Sequence, residues 1–151
     1  MKISRNLFIA SLSCLVIFTS SAMRTVRAQS FSGAPALPVI PGGIYNITNY
    51  GAIGDGVATN TAAIQAAINA ASAAGGGIVE VPAGSYLSGP VRLASGINLR
   101  VERGAVLRML PLDKYPGGTV DPENFISGAG LHDVAISGSG MIDGQLRQTG
   151  R

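Results

Sequence analysis

Residues 51–87 read GAIGDGVATNTAAIQAAINAASAAGGGIVEVPAGSYL, and within them a helical pattern gives way to a strand pattern across three glycines. From Thr61 to Ala74 the apolar residues Ile64, Ala67, Ile68 and Ala71 recur at i, i+3, i+4 and i+7, the spacing that lines one face of a helix. Asn60 or Thr61 can cap its start, because either side chain can accept from the free N–H groups of a first helical turn. No Glu or Gln stands where a capping box needs one, which leaves the start open by a residue or two. Gly75 can end the helix by adopting the left-handed conformation. Gly75 to Gly77 follow the helix instead of opening it, the wrong order for a phosphate cradle.

After Gly77 the period changes from 3.6 to 2 and stays there. IVEVP (78–82), SYLSG (85–89), VRLA (91–94), INLRVE (97–102) and AVLRML (105–110) are short, rich in β-branched residues and bounded by Gly, Pro, Ser or Asn. In INLRVE, Ile97, Leu99 and Val101 share one face while Asn98, Arg100 and Glu102 share the other, so one face is buried and one is wet. A polar stretch, PLDKYPGGTVDPEN (111–124), interrupts the series as a loop excursion. Strands resume at Phe125 and Ile126, at Val134 to Ser137 and at Met141 to Asp143. Upstream, IYNITNY (44–50) alternates as a short strand, and Gly54, Asp55 and Gly56 signal a tight turn.

The spacing of these strands carries architectural information. Val79 and Val81 stand twenty residues before Leu99 and Val101. A repeat near twenty with small residues at the corners fits a parallel solenoid, in which each coil covers only its neighbours. An antiparallel sandwich also has short strands every 8 to 12 residues. The helix favours the solenoid, because a stack of coils has apolar ends and an alanine-faced helix is suited to lie across the first of them.

The chain opens with Lys2 and Arg5, then an apolar run from Leu7 to Phe18, then small residues, the order of a secretory signal peptide. The run is shorter than the ~20 residues that a spanning helix needs. Residues 1–28 are therefore expected to be a leader, cleaved after Ala22 or after Ala28, and the product to be secreted or periplasmic without a membrane segment. Residues 29–43, QSFSGAPALPVIPGG, read as a linker or extended arm, and 44–151 as the folded part. Four of the eleven Lys and Arg residues precede residue 29, so a chain cut after Ala28 has seven basic against eight acidic residues, a net charge of −1. Such a balance gives no electrostatic support to a nucleic-acid partner. The single cysteine, Cys14, lies in the apolar run, which leaves the exported product without a disulfide or a cysteine metal site.

The series ITNYGAIGDG, NTAAIQAAINAA, GGGIVEVPAGSYLSGPVRL, NLRVERGAVL, DKYP and VAISGSGMIDGQ resembles, in order and spacing, the N-terminal part of the polygalacturonases, family 28 glycoside hydrolases within the pectate lyase superfamily. The glycine-helix-glycine-VPAG block is shared with phage tail spikes and epimerases; YLSGPVRL, GAVL, DKYP and GSGMIDGQ narrow the likeness to polygalacturonases. The resemblance implies an all-β chain, the first coils of an incomplete right-handed parallel β-helix with a short N-terminal capping α-helix. For the parent protein it implies inverting hydrolysis of α-1,4-galacturonan in pectin, without a cofactor, by carboxylates on both sides of the scissile bond.

The catalytic motifs that the resemblance implies are Asn-Thr-Asp, an Asp-Asp pair, Gly-His-Gly and Arg-Ile-Lys, downstream of Ile-Asp-Gly, and none occurs in this sequence. Asn60 and Thr61 are followed by Ala62 and belong to the helix. The expectation is thus that the 151 residues contain no catalytic, cofactor or metal site and lack activity of their own. Asp143 beside Gly144 reads as a turn residue. His132, the only histidine, has no second ligand near it in sequence. Asp121 and Glu123 sit in the polar excursion, where a solvated loop competes with an acid pair. The four arginines from Arg92 to Arg108 could meet an anionic polysaccharide, although Arg100 faces outward by simple alternation. Asn46-Ile47-Thr48 has the form of a glycosylation acceptor. Two other readings remain open: a noncatalytic polysaccharide-binding β-helix of the adhesin or spike kind, and a truncated reading frame without function.

Overall fold

The computed structural model describes residues 37–118 and 120–145. The expected leader, 1–28, and both cleavage positions lie outside the described residues, as does the arm before residue 37. The chain runs β1 (Ile44–Asn46), β2 (Asp55–Thr59), α1 (Thr61–Ala73), β3 (Gly77–Val81), β4 (Gly84–Ser88), β5 (Val91–Arg92), β6 (Ile97–Val101), β7 (Ala105–Met109), β8 (Ile126–Ser127), β9 (Ala135–Gly138) and β10 (Met141–Asp143). Every pairing is parallel, in sheets ordered β1-β3-β6-β9, β2-β4-β7-β10 and β5-β8. No described strand pairs with its neighbour in sequence. Each therefore returns to its own sheet only after a full circuit, and the chain is a coil stacked on itself.

The register equals the spacing read from the sequence. Val79 lies over Leu99 and Val81 over Val101, twenty residues on. Leu99 in turn lies under Ile136, after the excursion at 111–124 has lengthened that circuit. On the second sheet Tyr86, Leu107 and Ile142 form the matching inward column. Val79, Leu99 and Leu107 are fully enclosed, and burying such a side chain is worth about 1.5–3 kcal/mol. These stacked columns are the core.

Helix α1 buries Ile64, Ala67, Ile68 and Ala71, the face expected from their spacing, against the first coils. It ends as expected on Gly75, at φ +87, with Gly75 N–H donating to Ser72 O and Gly76 N–H to Ala71 O. The cap at its start differs from expectation. Asn60 occupies the capping position but makes no side-chain capping bond, because its carboxamide turns inward to the backbone of residues 53–58. The helix also closes a sheet edge. Gln65 Oε1 accepts from Arg92 N–H at 2.9 Å and its Nε2 donates to Arg92 O at 3.0 Å, so one side chain makes the bonds a neighbouring strand would make.

Two local expectations need correction. The strand expected over 44–50 stops at Asn46 and becomes a 3-10 turn at Ile47–Tyr50. Asn46 Oδ1 accepts from both Thr48 N–H and Thr48 Oγ1, which favours the turn over extension. The turn signal at 54–56 is real in its chemistry but sits within β2. Asp55 Oδ1 accepts from Val57 and Ala58 N–H, Gly56 has φ +75, and the strand's register slips between Asp55 and Thr59.

At the far end of the stack the inward column is open. Ile136 and Ile142 continue the core columns yet are 51% and 41% exposed, and no described strand pairs with the outer edge of β9 or β10.

Candidate functional site

Of the side chains singled out in the sequence, Arg92, Asp121 and Glu123 come together on one cleft, while Asp143 and His132 stand apart from it. Asp143, at the end of β10, accepts from Gln145 N–H through Oδ1 at 2.9 Å and from Arg108 Nε through Oδ2 at 3.1 Å. The Gln145 N–H, with Arg108 adding to it, holds this carboxyl below the ordinary carboxylate range. A general acid at a glycosidic oxygen needs the opposite, a carboxyl that keeps its proton. Asp143 thus organises the turn that follows β10, and Gln145 completes it by donating from Nε2 to Met109 O at 2.6 Å.

His132 stands exposed at the corner before β9, its Nδ1 3.0 Å from Asp133 Oδ2, with backbone bonds to Ser95 and Gly96. His132 first, and then Val39 N–H, hold Asp133 below the ordinary carboxylate range. Asp121 and Glu123 are exposed in the excursion; with Arg92 they line an open cleft of about 670 Å³. A second cleft, about 790 Å³, lies between the end of β7 and the excursion; Asp113, Glu123, Phe125 and Gln145 are on its walls. Tyr115, at the base of the excursion, is buried; enclosure, with the charge of Glu123 adding, pushes its phenol up. Among the described residues its hydroxyl has no partner.

Two of the four arginines between Arg92 and Arg108 are tied up in ion pairs among the described residues. Arg100 is held between Glu80 and Glu102, and Arg108 is paired with Asp143. Asn46, Glu80, Arg100 and Ser137 stack on the wet side of the first sheet, one from each coil. Asn46 Nδ2 donates to Glu80 Oε1 at 3.0 Å, so the amide of the glycosylation pattern is already engaged. Alternation alone put Arg100 outside; its partner Glu80 becomes visible only when the twenty-residue repeat is applied to the sequence. Among the described residues no group of three or more His, Cys, Asp or Glu side chains could hold a metal ion, and no helix is long and apolar enough to cross a membrane.

Residues 44–100 match the family model described as Rhamnogalacturonase A/epimerase, pectate lyase-like. The chain carries a right-handed parallel β-helix. This coil is similar to a hyperthermoactive exopolygalacturonase from Thermotoga maritima, with a TM-score of 0.65 and 29% identity over 73% of this chain and 27% of that one. It is 45% identical over 64 residues to an exo-poly-α-D-galacturonosidase of Dickeya chrysanthemi, covering 42% of this chain and 10% of that protein. It is 67% identical over 42 residues to the mannuronan C5-epimerase AlgE1 of Azotobacter vinelandii, covering 28% of this chain and 3% of the epimerase. The chain therefore spans little more than a quarter of the longest-matched of these proteins and a small part of the other two.

Proposed function

We propose that this chain is the capped, N-terminal portion of an exported, polygalacturonase-like glycoside hydrolase. Its parent acts on pectin by inverting cleavage of α-1,4-linked galacturonan, and the 151 residues alone do not catalyse. The observation that carries this reading is the extent of the structural likeness to an exopolygalacturonase, which runs through 73% of the chain. The carboxylates support the second half of it. Inverting hydrolysis needs one carboxylic acid that retains its proton and a second group about 6.5–9.5 Å away to activate water. The three described carboxylates whose acidity is altered, Asp55, Asp133 and Asp143, are all made stronger acids by N–H donors or cationic partners.

A second reading follows from the 67% identity over 42 residues to a mannuronan C5-epimerase. Both readings have an acidic, uronate-based polysaccharide as substrate. The polygalacturonase reading is preferred on the structural likeness over 73% of the chain, with a TM-score of 0.65, and on YLSGPVRL, DKYP and GSGMIDGQ; the epimerase AlgE3 of Azotobacter vinelandii, 39% identical over 66% of the chain, is what keeps the second reading in play. Export to the periplasm or medium rests on the charged, apolar and small-residue order of residues 1–28.

The test uses two samples: the purified chain, and the native protein captured from culture medium with an antibody against residues 44–145. Each is incubated with polygalacturonate and with polymannuronate, following reducing ends and the anomeric proton spectrum. The reading expects reducing ends from polygalacturonate with the native protein alone. Reducing ends from the isolated chain would overturn its inactivity. Conversion of mannuronate without new ends would replace the hydrolase with the epimerase, and binding without either reaction would favour a noncatalytic β-helix.

A further inference from the structure

The arm ahead of β1 runs along the stack and touches more than one coil. Gly43 O accepts from Ile78 N–H at 2.7 Å, beside the coil that begins at β3. Pro41 packs on Gly76, where an added Cβ would come within 2.9 Å of the proline ring and 2.6 Å of Gly96 O. Val39 N–H donates to Asp133 Oδ1 at 3.1 Å, at the corner before β9. Four extended residues reach about 13 Å, and two coil spacings take up about 10 Å. The arm is long enough to run from the third strand's corner to the ninth's with only about 3 Å to spare.

The corners it crosses are themselves stacked. Gly77 N–H donates to Gly96 O at 2.9 Å and Gly96 N–H to His132 O at 3.1 Å. Asp133 tops this column in a left-handed conformation, φ +53, that aims its carboxylate at two donors: Val39 N–H on one oxygen and His132 Nδ1 on the other. Arm, helix end and corners enclose a cleft of about 640 Å³.

We propose that residues 37–43 form a strap along the coil axis, latched at its far end by Asp133, and that acid opens the latch. The ionisable groups facing Asp133 are few. The end of α1 contributes Ser72 and Gly75, the corner before β6 contributes Ser95 and Gly96, and the arm contributes backbone; His132 is the one other ionisable side chain on the described cleft wall. Protonation removes the charge that both donors share. Because Asp133 is held below its ordinary value of 3.8, the latch is in place above that value and is lost as pH falls through the lowered one. The consequence is a segment preceding β1 that stays on the stack at neutral pH and comes away in acid.

The test measures amide hydrogen exchange of the full chain, corrected for intrinsic rates, at Val39 and at the amides of β6 in the same sample. Protection of Val39 is expected to fall severalfold as the sample is taken from neutral pH to roughly pH 3 and to go on falling below it, while β6 stays protected. Asp133→Asn tolerates the left-handed backbone and carries no charge at any pH, so its Val39 protection should already be lower than that of the unaltered chain at neutral pH and should not depend on pH. An unprotected Val39 at neutral pH, equal acid loss in Asp133→Asn, or loss in parallel with β6 would each overturn the proposal.

Discussion

Asn60 is 2% exposed, yet it is a carboxamide in a wall of apolar side chains. Its Oδ1 accepts from Ile53 N–H at 2.7 Å, and its Nδ2 donates to Ile53 O at 3.1 Å and Ala58 O at 2.8 Å, so it ties the loop before β2 to the start of α1. Asn60→Ala would strand those backbone groups and should cost about 1–3 kcal/mol in thermal unfolding. Asn60→Asp sets a carboxylate against two carbonyl oxygens, and its carboxyl would be held above the ordinary value in the folded state. The variant should therefore be more stable in mild acid than at neutral pH, losing stability as pH rises through that raised value; equal melting at both pH values would contradict this role. Tyr115→Phe should raise the melting temperature by a few degrees, because it removes a buried hydroxyl that lacks a partner among the described residues. Both residues show where sequence reading ran short. Asn60 has the type and place of a helix cap, and only the fold of residues 53–58 beneath it turns its amide inward. Tyr115 lies in a polar stretch that reads as solvated, with nothing in its neighbours in sequence to mark it as buried.

At the level of elements, α1 depends on one polar side chain as well as on its apolar face. Gln65→Glu keeps the acceptor for Arg92 N–H but turns a negative oxygen toward Arg92 O, which unpairs the edge of β5. A lower melting temperature and increased light scattering are expected; an unchanged melt with no scattering would show that the edge needs no cover. The turn after α1 offers a finer test. Gly75 and Gly76 both have positive φ, +87 and +118, but an added Cβ meets nothing at Gly75 and lies 2.6 Å from Gly96 O at Gly76. Gly75→Ala should cost about 1 kcal/mol for the left-handed backbone alone, and Gly76→Ala about 2 or more because the coils must part. Equal losses would contradict the close approach. The switch from helix to strands after Gly77 was legible because the apolar period changes there. The 3-10 turn at 47–50 was not, since alternation suggests a strand while the Asn46 side chain bonds Thr48 and bends the chain.

For the molecule as a whole, the twenty-residue spacing between Val79 and Leu99 equals the register, because in a parallel coil the repeat in sequence is the register in space. Spacing alone also fitted an antiparallel sandwich, and the capping helix was what favoured the coil. The excursion at 111–124 hides the same repeat between Leu99 and Ile136, so the third coil could be read only as strands without an address. Of the carboxylates that drew attention in the sequence, Asp143 has backbone and cationic partners, whereas Asp121 and Glu123 stand exposed in the excursion, and neither arrangement is legible from residue type alone. Pairing of the Asp143 kind has its own consequence for acid stability. Asp55, Asp133 and Asp143 are each held below the ordinary carboxylate value, so their contributions are present above it and lost as pH falls through the folded values. Thermal melts should shift downward between about pH 5 and roughly pH 3, and Asp55→Asn, which retains an acceptor for Ala58 and Val57, should flatten that slope. The central claim, a polygalacturonase-like portion whose chemistry lies elsewhere, is tested most directly by reading the transcript beyond the codon for Arg151. The account predicts continued coding sequence that carries Asn-Thr-Asp, Asp-Asp, Gly-His-Gly and Arg-Ile-Lys in that order. A stop codon followed by unrelated sequence would contradict it.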